Sequence, residues 1–307
     1  MPAGRAAVVF TAAAALLSNS AIAAETPDEL VARGRAVLEA AGGCTCHTDF
    51  DDDGPPLAGG RPLSTPFGVY YSTNITPDPE TGIGRWSDAD FARAMREGRA
   101  PDGSAYFPVF PYTSFTGMSD EDLRALKAYL FSLAPVRREN RPHDVWPPFS
   151  WRLSARIWQW LHFEPARFSP DPSQTAAWNR GAYLVHAVAH CGECHTPRTL
   201  TGAIDRSRWL AGASDGPEGE LAPNITPHET TGIGRWTATD LVWYLQMGFD
   251  PDGDDAQGLM RETIEHGFQH VPRTDLEAIA TYLATVPPIE NRLLDHADHA
   301  DHADPEP

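Results

Sequence analysis

Two short stretches carry the residues most able to do chemistry. The stretch "HCGECHTP" sets Cys191, Cys194 and His195 in one run, and "GGCTCHTD" sets Cys44, Cys46 and His47 in another. The first has the spacing C-x-x-C-H, the pattern through which a haem is attached covalently. Cysteines three residues apart on a helical turn share a face. Both thiols can therefore add to the two vinyl groups along one haem edge, and the histidine then reaches the iron. Pro197 follows closely, where the chain must leave the helix. Three other chemistries use such a cysteine pair. A redox dithiol would sit in a βαβ context that the sequence does not offer. Half a zinc site would need the two clusters to converge. A structural disulfide would be served by an exported chain.

The other cluster departs from the pattern by one residue. Cys44 and Cys46 are two apart, which on a helix is a rotation of about 200° that turns them to opposite sides. The residue three before Cys46 is Gly43. Cys46 and His47 nevertheless keep the relation found at Cys194 and His195. The expectation is a haem held by the Cys46 thioether alone, with His47 on the iron. The alternative is a damaged site without haem.

The elements that must position these residues are written twice. "NITPDPETGIGRWSDAD" from Asn74 returns as "NITPHETTGIGRWTATD" from Asn224. Leu123, Leu126, Leu130 and Leu133 return as Leu276, Ile279, Leu283 and Val286, a spacing that marks one helix face. Each copy runs from a cysteine-histidine cluster through the TGIGRW loop, a helix and a PDG turn to a last helix. Two copies of this length indicate a duplicated domain. Helices are expected near Asp28–Ala41 and Trp178–Ala189. Further helices should be capped by Ser87 with Asp90, Thr237 with Asp240, Ser119 with Asp122 and Thr274 with Glu277. No alternating strand pattern is evident, so the expected fold class is all-α, with long loops. Loops this long are uncommon in a compact domain unless a large rigid cofactor gives them a packing surface.

The rest of the chain bounds the setting. Residues 1–23, with Arg5, an apolar run from Ala6 to Leu17 and Ala21-Ile22-Ala23, read as a signal peptide, implying export. The 307 residues carry a formal charge of −18, which argues against a nucleic-acid partner and suits partners with basic patches. The expected divisions are 24–135 and 173–290 for the two domains, with a linker over 136–172. In that linker "SWRLSARIWQWLHF" puts Leu153, Ile157, Trp160 and Leu161 on one stripe. Such a stripe either bridges the two domains or docks to a membrane surface or a partner. Residues 291–307 form a low-complexity His/Asp-rich tail, read as disordered.

Taken together, "LAGGRPLSTPFGVYYSTNITPDPETGIGRWSDADFARAMREG", "FPYTSFTGMSDEDLRALKAYL", "WNRGAYLV", "HCGECHTPR" and "MRETIEHG" resemble the cytochrome c subunits of bacterial alcohol, gluconate and aldehyde dehydrogenases. The resemblance covers most of residues 30 to 290. It implies tandem cytochrome c domains carrying haem c; many members have three such domains, and the duplication in this chain leaves room for two. It also implies a periplasmic, peripherally membrane-associated role. Electrons would pass one at a time from a dehydrogenase catalytic subunit towards a quinone or terminal cytochrome. Related sequences read G-G-C-x-x-C-H at the first cluster, so a one-residue deletion is the simpler history there. A c-type iron usually takes a methionine opposite its histidine. Seven residues past Gly253 stands Met260, in the loop after the PDG turn, where resembling sequences carry the ligand. Seven past Gly103 stands Phe110, which cannot ligate iron. Met118 is then the first-copy ligand that the resemblance implies. Met95 and Met247, on helices, are read as core fillers. Trp86, Trp236, Arg85 and Arg235 are candidates for the propionate side of the haem, or equally for ordinary packing and surface charge. The rival reading is a dihaem redox enzyme of peroxidase or thiosulfate-oxidising type, kept open by Phe110.

Overall fold

The computed structural model describes residues 25–293, so the expected signal peptide and nearly all of the expected tail lie outside the described residues. Nine α-helices appear among them: α1 Pro27–Ala40, α2 Asp88–Glu97, α3 Tyr112–Phe115, α4 Asp120–Ser132, α5 Arg152–His162, α6 Ala176–Tyr183, α7 Ala238–Met247, α8 Gly258–His266 and α9 Arg273–Leu283. None is long and apolar enough to cross a membrane. The helical expectation holds, with local corrections.

Capping explains most helix starts. Thr26 and Glu29 cap α1 reciprocally, with Pro27 in the first turn. Ser87 with Asp90 and Thr237 with Asp240 do the same for α2 and α7. The Ser119 side chain accepts from the Asp122 N–H at the start of α4. Thr274 does not cap α9. That helix begins one residue earlier, after Pro272, whose fixed φ ends the preceding turn. The predicted helix over 178–189 is also cut short: α6 stops at Tyr183 and passes into a π-helical turn, Leu184–Val188. Such turns absorb an extra residue and cluster at functional sites.

The first and last helices of each copy cross tightly. Gly34 of α1 lies so close to α4 that a Cβ there would sit 1.9 Å from the Ala125 carbonyl oxygen. Gly181 of α6 meets the Ala278 carbonyl of α9 at the same 1.9 Å. Beside these crossings Arg33 Nη2 bonds Asp122 at 3.0 Å and Arg180 Nη2 bonds Asp275 at 2.6 Å. One apolar core runs through both copies, joining Leu38, Leu126 and Leu130 to Val185, Leu276, Ile279 and Leu283.

Three short strands were not anticipated. β1 (Pro62–Thr65) and β2 (Gly68–Tyr71) form an antiparallel hairpin, and β3 (Asp144–Val145) from the linker pairs with β2. The hairpin is too brief and too broken by Pro and Gly to alternate visibly, and its third strand comes from distant sequence. A satellite core of Tyr70, Phe107, Val145 and Ala155 holds it.

The linker helix α5 does bridge the copies, but not with its apolar stripe. Gln159 Nε2 donates to the Gly98 carbonyl at 3.0 Å, and Trp158 Nε1 donates to the Thr201 carbonyl at 2.8 Å. Leu153, Ile157, Trp160 and Leu161 are all exposed, Trp160 at 82%.

The helix crossings make a direct prediction. Gly34→Ala and Gly181→Ala should each lower stability by about 1–3 kcal/mol, the usual cost of forcing an extra methyl group into packed structure. Chemical denaturation measures this, and an unchanged midpoint would refute the close crossing.

Candidate haem-attachment sites

Both histidines are held in the same way. His47 Nδ1 lies 2.7 Å from the Thr73 carbonyl oxygen, and His195 Nδ1 lies 2.7 Å from that of Pro223. A carbonyl can only accept, so each Nδ1 carries the proton and each Nε2 lone pair is left for a metal. The carbonyls belong to the residues just before Asn74 and Asn224, the first residues of the repeated loop. The loop was legible as a repeat, but its task of orienting the histidine was not.

The same loop is clasped to the chain leaving the last helix. Asn74 Nδ2 donates to Val136 O at 2.7 Å and to Thr81 Oγ1 at 3.1 Å, while its Oδ1 accepts from the Thr76 N–H at 2.9 Å. Asn224 repeats these bonds with Ile289 O at 2.8 Å, Thr231 Oγ1 at 3.2 Å and the Thr226 N–H at 2.9 Å. Asn74, Thr76, Asn224 and Thr226 are all buried. Leu57 and Leu210, whose carbonyls accept from the Ile75 and Ile225 N–H groups of the same loop at 2.9 and 3.0 Å, take left-handed backbone conformations, at φ 60° and 62°. Their N–H groups are tied at 3.0 Å to Thr48 Oγ1 and Thr196 Oγ1, the residues after the histidines. Strain of this kind persists only where surrounding bonds over-determine it.

The cysteines differ between the copies. Gly34 and Gly181 are 147 residues apart, as are Cys44 and Cys191, whereas Cys46 and Cys194 are 148 apart. One residue is therefore missing between the first pair. A left-handed residue precedes the first cysteine in both copies, Gly43 at φ 72° and His190 at φ 42°. In the first copy Cys44 is left-handed as well, at φ 53°. The helical rotation expected to separate Cys44 from Cys46 is therefore not what separates them; the backbone reverses at Cys44 itself. Cys44 packs against the main core, as Cys191 does, while Cys46 is exposed.

No disulfide joins these thiols. Burial, with the neighbouring Cys46, pushes Cys44 up to about 12, and burial pushes Cys191 up to about 12. Cys194 is raised to about 12 by burial and by the nearby Cys46 and Glu193. Thiols so raised stay protonated at neutral pH, unlike the depressed thiolate of a redox dithiol. Among the described residues no three His, Cys, Asp or Glu side chains converge as a metal site. A thioether-linked haem fits this donor set: neutral thiols, and a histidine with its outer nitrogen free.

The two clusters face each other across the repeats. Cys46 raises the Cys194 thiol from the other copy. Thr263 of α8 and the His266 carbonyl lie against Gly42 and Gly43. Phe50 stacks on His266 at 4.6 Å. Arg61, almost fully buried, is shared between Glu262 of α8 and Glu218. Reciprocally, Thr113 and Ser114 of α3 each donate at 2.7 Å to Glu193, which lies between Cys191 and Cys194. Burial would raise Glu193, but Arg198 and these two hydroxyls outweigh it and hold its carboxyl below the usual range. These cross-repeat partners carried no signal in the sequence.

The methionines do not occupy equivalent places. Met260 sits in the first turn of α8, not in a loop, and packs partly buried against the core. The Tyr106 N–H to Gly98 O bond and the Ala256 N–H to Gly248 O bond, both 2.7 Å, fix the register. In that register Phe110 stands at the position of Met260. Met118 is 1% exposed just before α4 and stands where Val271 precedes α9. Its carbonyl accepts from Arg96 at 2.8 Å and Arg167 at 2.9 Å. Met95 is buried at the position of Leu245, as a core residue would be, but Met247 is 52% exposed and fills no core. Trp86 and Trp236 are partly buried against the core, with Arg85 and Arg235 exposed.

The clasp can be tested directly. Asn224→Ala leaves the buried Thr226 N–H without its partner and the Ile289 carbonyl with only its longer bond from Thr226 Oγ1, at 3.4 Å, which should cost about 1–3 kcal/mol, the usual penalty for one unsatisfied buried group. Thermal unfolding should show this loss, and a variant as stable as the parent would refute the clasp.

No family model matches the chain. It is 42% identical over 262 residues to a diheme cytochrome c-type protein of Cereibacter sphaeroides, an alignment covering 84% of this chain and 86% of that protein. It is 41% identical over 259 residues to the fructose dehydrogenase cytochrome subunit of Gluconobacter japonicus, covering 84% of this chain and 52% of the relative. It is 39% identical over 270 residues to the gluconate 2-dehydrogenase cytochrome c subunit of Pantoea cypripedii, covering 84% of this chain and 60% of the relative. The chain thus spans most of the first relative and less than two thirds of the other two. With the matched setting of the two histidines, this likeness means that the chain belongs to the dihaem c-type cytochromes.

Proposed function

We propose that this chain is an exported two-haem electron carrier that serves a dehydrogenase. It would pass electrons from that catalytic subunit towards a quinone or terminal cytochrome. The observation that carries the reading is the matched setting of His47 and His195, each fixed through Nδ1 at 2.7 Å on the same loop. In tandem cytochrome c domains over 24–135 and 173–290, Cys191 and Cys194 would hold one haem, with His195 and Met260 available to its iron. Cys46 would hold the other through a single thioether, with His47 and Met118 available to its iron. Haem iron supplies one-electron transfer between its ferrous and ferric states. The protein's own residues orient the imidazoles and exclude water through the shared core, which are among its levers on potential.

Intact mass of the purified protein should show two haems per chain, and peptide mapping should place the first on Cys46. A chain with one haem would overturn the two-haem reading, and a second thioether on Cys44 would overturn the single-attachment reading. Optical and electron paramagnetic resonance spectra separate carrier from enzyme. Two low-spin haems support the carrier. A high-spin, peroxide-reactive haem in the first copy would support the enzyme reading, consistent with Phe110 at the position of Met260.

Peripheral association with the periplasmic face of the inner membrane is supported by the exposed stripe of α5. Co-sedimentation with vesicles containing anionic phospholipid should fall several-fold in a Trp160→Gln, Leu161→Gln variant. Equal sedimentation of variant and parent would refute this role for α5.

A further inference from the structure

The two copies share a fold but not a surface. On α7 and the turn after it, Trp243 is 54% exposed, Met247 52% and Phe249 46%. Trp243 and Met247 are four residues apart, so they lie on one helix face. Gly248 then turns left-handed and brings Phe249 alongside. At the corresponding positions the first copy has Arg93, Glu97 and Arg99. The same backbone thus displays an apolar patch in one copy and charges in the other. Core packing does not explain the difference, because the inward residues Leu241 and Leu245 match Phe91 and Met95, and all four are buried.

The surroundings differ in the same sense. The turn after the patch carries Asp250, Asp252, Asp254 and Asp255, whereas the equivalent turn of the first copy carries only Asp102 and places Ser104 and Ala105 at the last two positions. Met247 and Phe249 line a notch of about 100 Å³ whose far wall is Arg261 and Ile264 of α8. Arg261 directly follows Met260. The patch therefore adjoins the helix bearing the candidate iron ligand of the second haem.

We propose that this face is the docking surface through which the second haem exchanges electrons with a partner protein that presents an apolar contact ringed by lysine or arginine. An apolar centre with a charged rim is the usual anatomy of a transient interface, and opposite charge accelerates encounter. A second copy of this chain fits poorly, because it would set one acidic rim against another, and an anionic lipid surface is repelled in the same way. The proposal rests on the second copy holding a haem, and the experiment separates the two claims.

The probe is a lysine-rich monohaem cytochrome c, flowed over the immobilised full-length haem-loaded protein at low ionic strength. Asp252→Asn, Asp254→Asn and Asp255→Asn together should weaken binding about tenfold and flatten its salt dependence. Trp243→Gln with Phe249→Gln should weaken it by a similar factor without changing that dependence. Removing three exposed charges from the first copy, Asp51→Asn, Asp52→Asn and Asp53→Asn, should change binding less than twofold. Stopped-flow electron exchange with the same probe should follow the same order, while the haem spectrum of every variant matches the parent. Unchanged binding in the α7 variants, or equal weakening by the first-copy control, overturns the docking surface and leaves the cytochrome reading intact. Concentration-dependent self-association abolished by the same α7 variants would assign the face to a second copy and overturn it too. A second copy without haem would instead sink the carrier reading, while the binding comparison still decides the surface.

Discussion

The structure depends on the buried asparagine clasp. Asn74 and Asn224 each close their own turn through Oδ1 and reach through Nδ2 to the chain that leaves the last helix. A buried amide is expensive unless its groups are paired, so the clasp fixes one loop path. That path brings the Thr73 and Pro223 carbonyls to the histidine Nδ1 atoms. The clasp, the histidine tie and the left-handed leucine bonded to the same loop recur in both copies.

The second organising feature is reciprocity. Each copy sends its segment between the PDG turn and the last helix across to the other copy's cysteines. Helix α8 reaches Gly42 and Gly43, and α3 reaches Glu193. The buried ions at this seam, Arg61 and Glu193, are fully engaged by opposite charges or hydroxyls. Breaking one partner of such a group leaves a buried charge, so these pairs specify one relative arrangement of the copies more than they add net stability.

Within that symmetric frame the copies have diverged where chemistry and recognition occur. One cysteine register has lost a residue, and Cys44 absorbs the loss by turning left-handed. One copy has Met260 where the other has Phe110. One α7 face is apolar and the other charged. In a cytochrome, unequal ligands on equivalent folds are a lever on potential, and unequal surfaces are a lever on partner choice.

The sequence alone displayed the repeated stretches and the two cysteine-histidine clusters, and determined most helix positions and cap residues. Each of these is a local pattern of spacing or side-chain type. It also located Met260 and Met118 as candidates at non-equivalent positions, but not that Met260 lies in the first turn of a helix. The hairpin and its third strand, the π-helical turn after α6, the exposed side of α5 and the cross-repeat partners Arg61 and Glu193 were decided by tertiary structure. The hairpin and the π-helical turn are local but too brief to leave a pattern, whereas the third strand, the docking of α5 and the partners of Arg61 and Glu193 join residues tens to more than a hundred positions apart in the chain. A repeat's periodicity records which face of a helix is apolar, but not what will cover it.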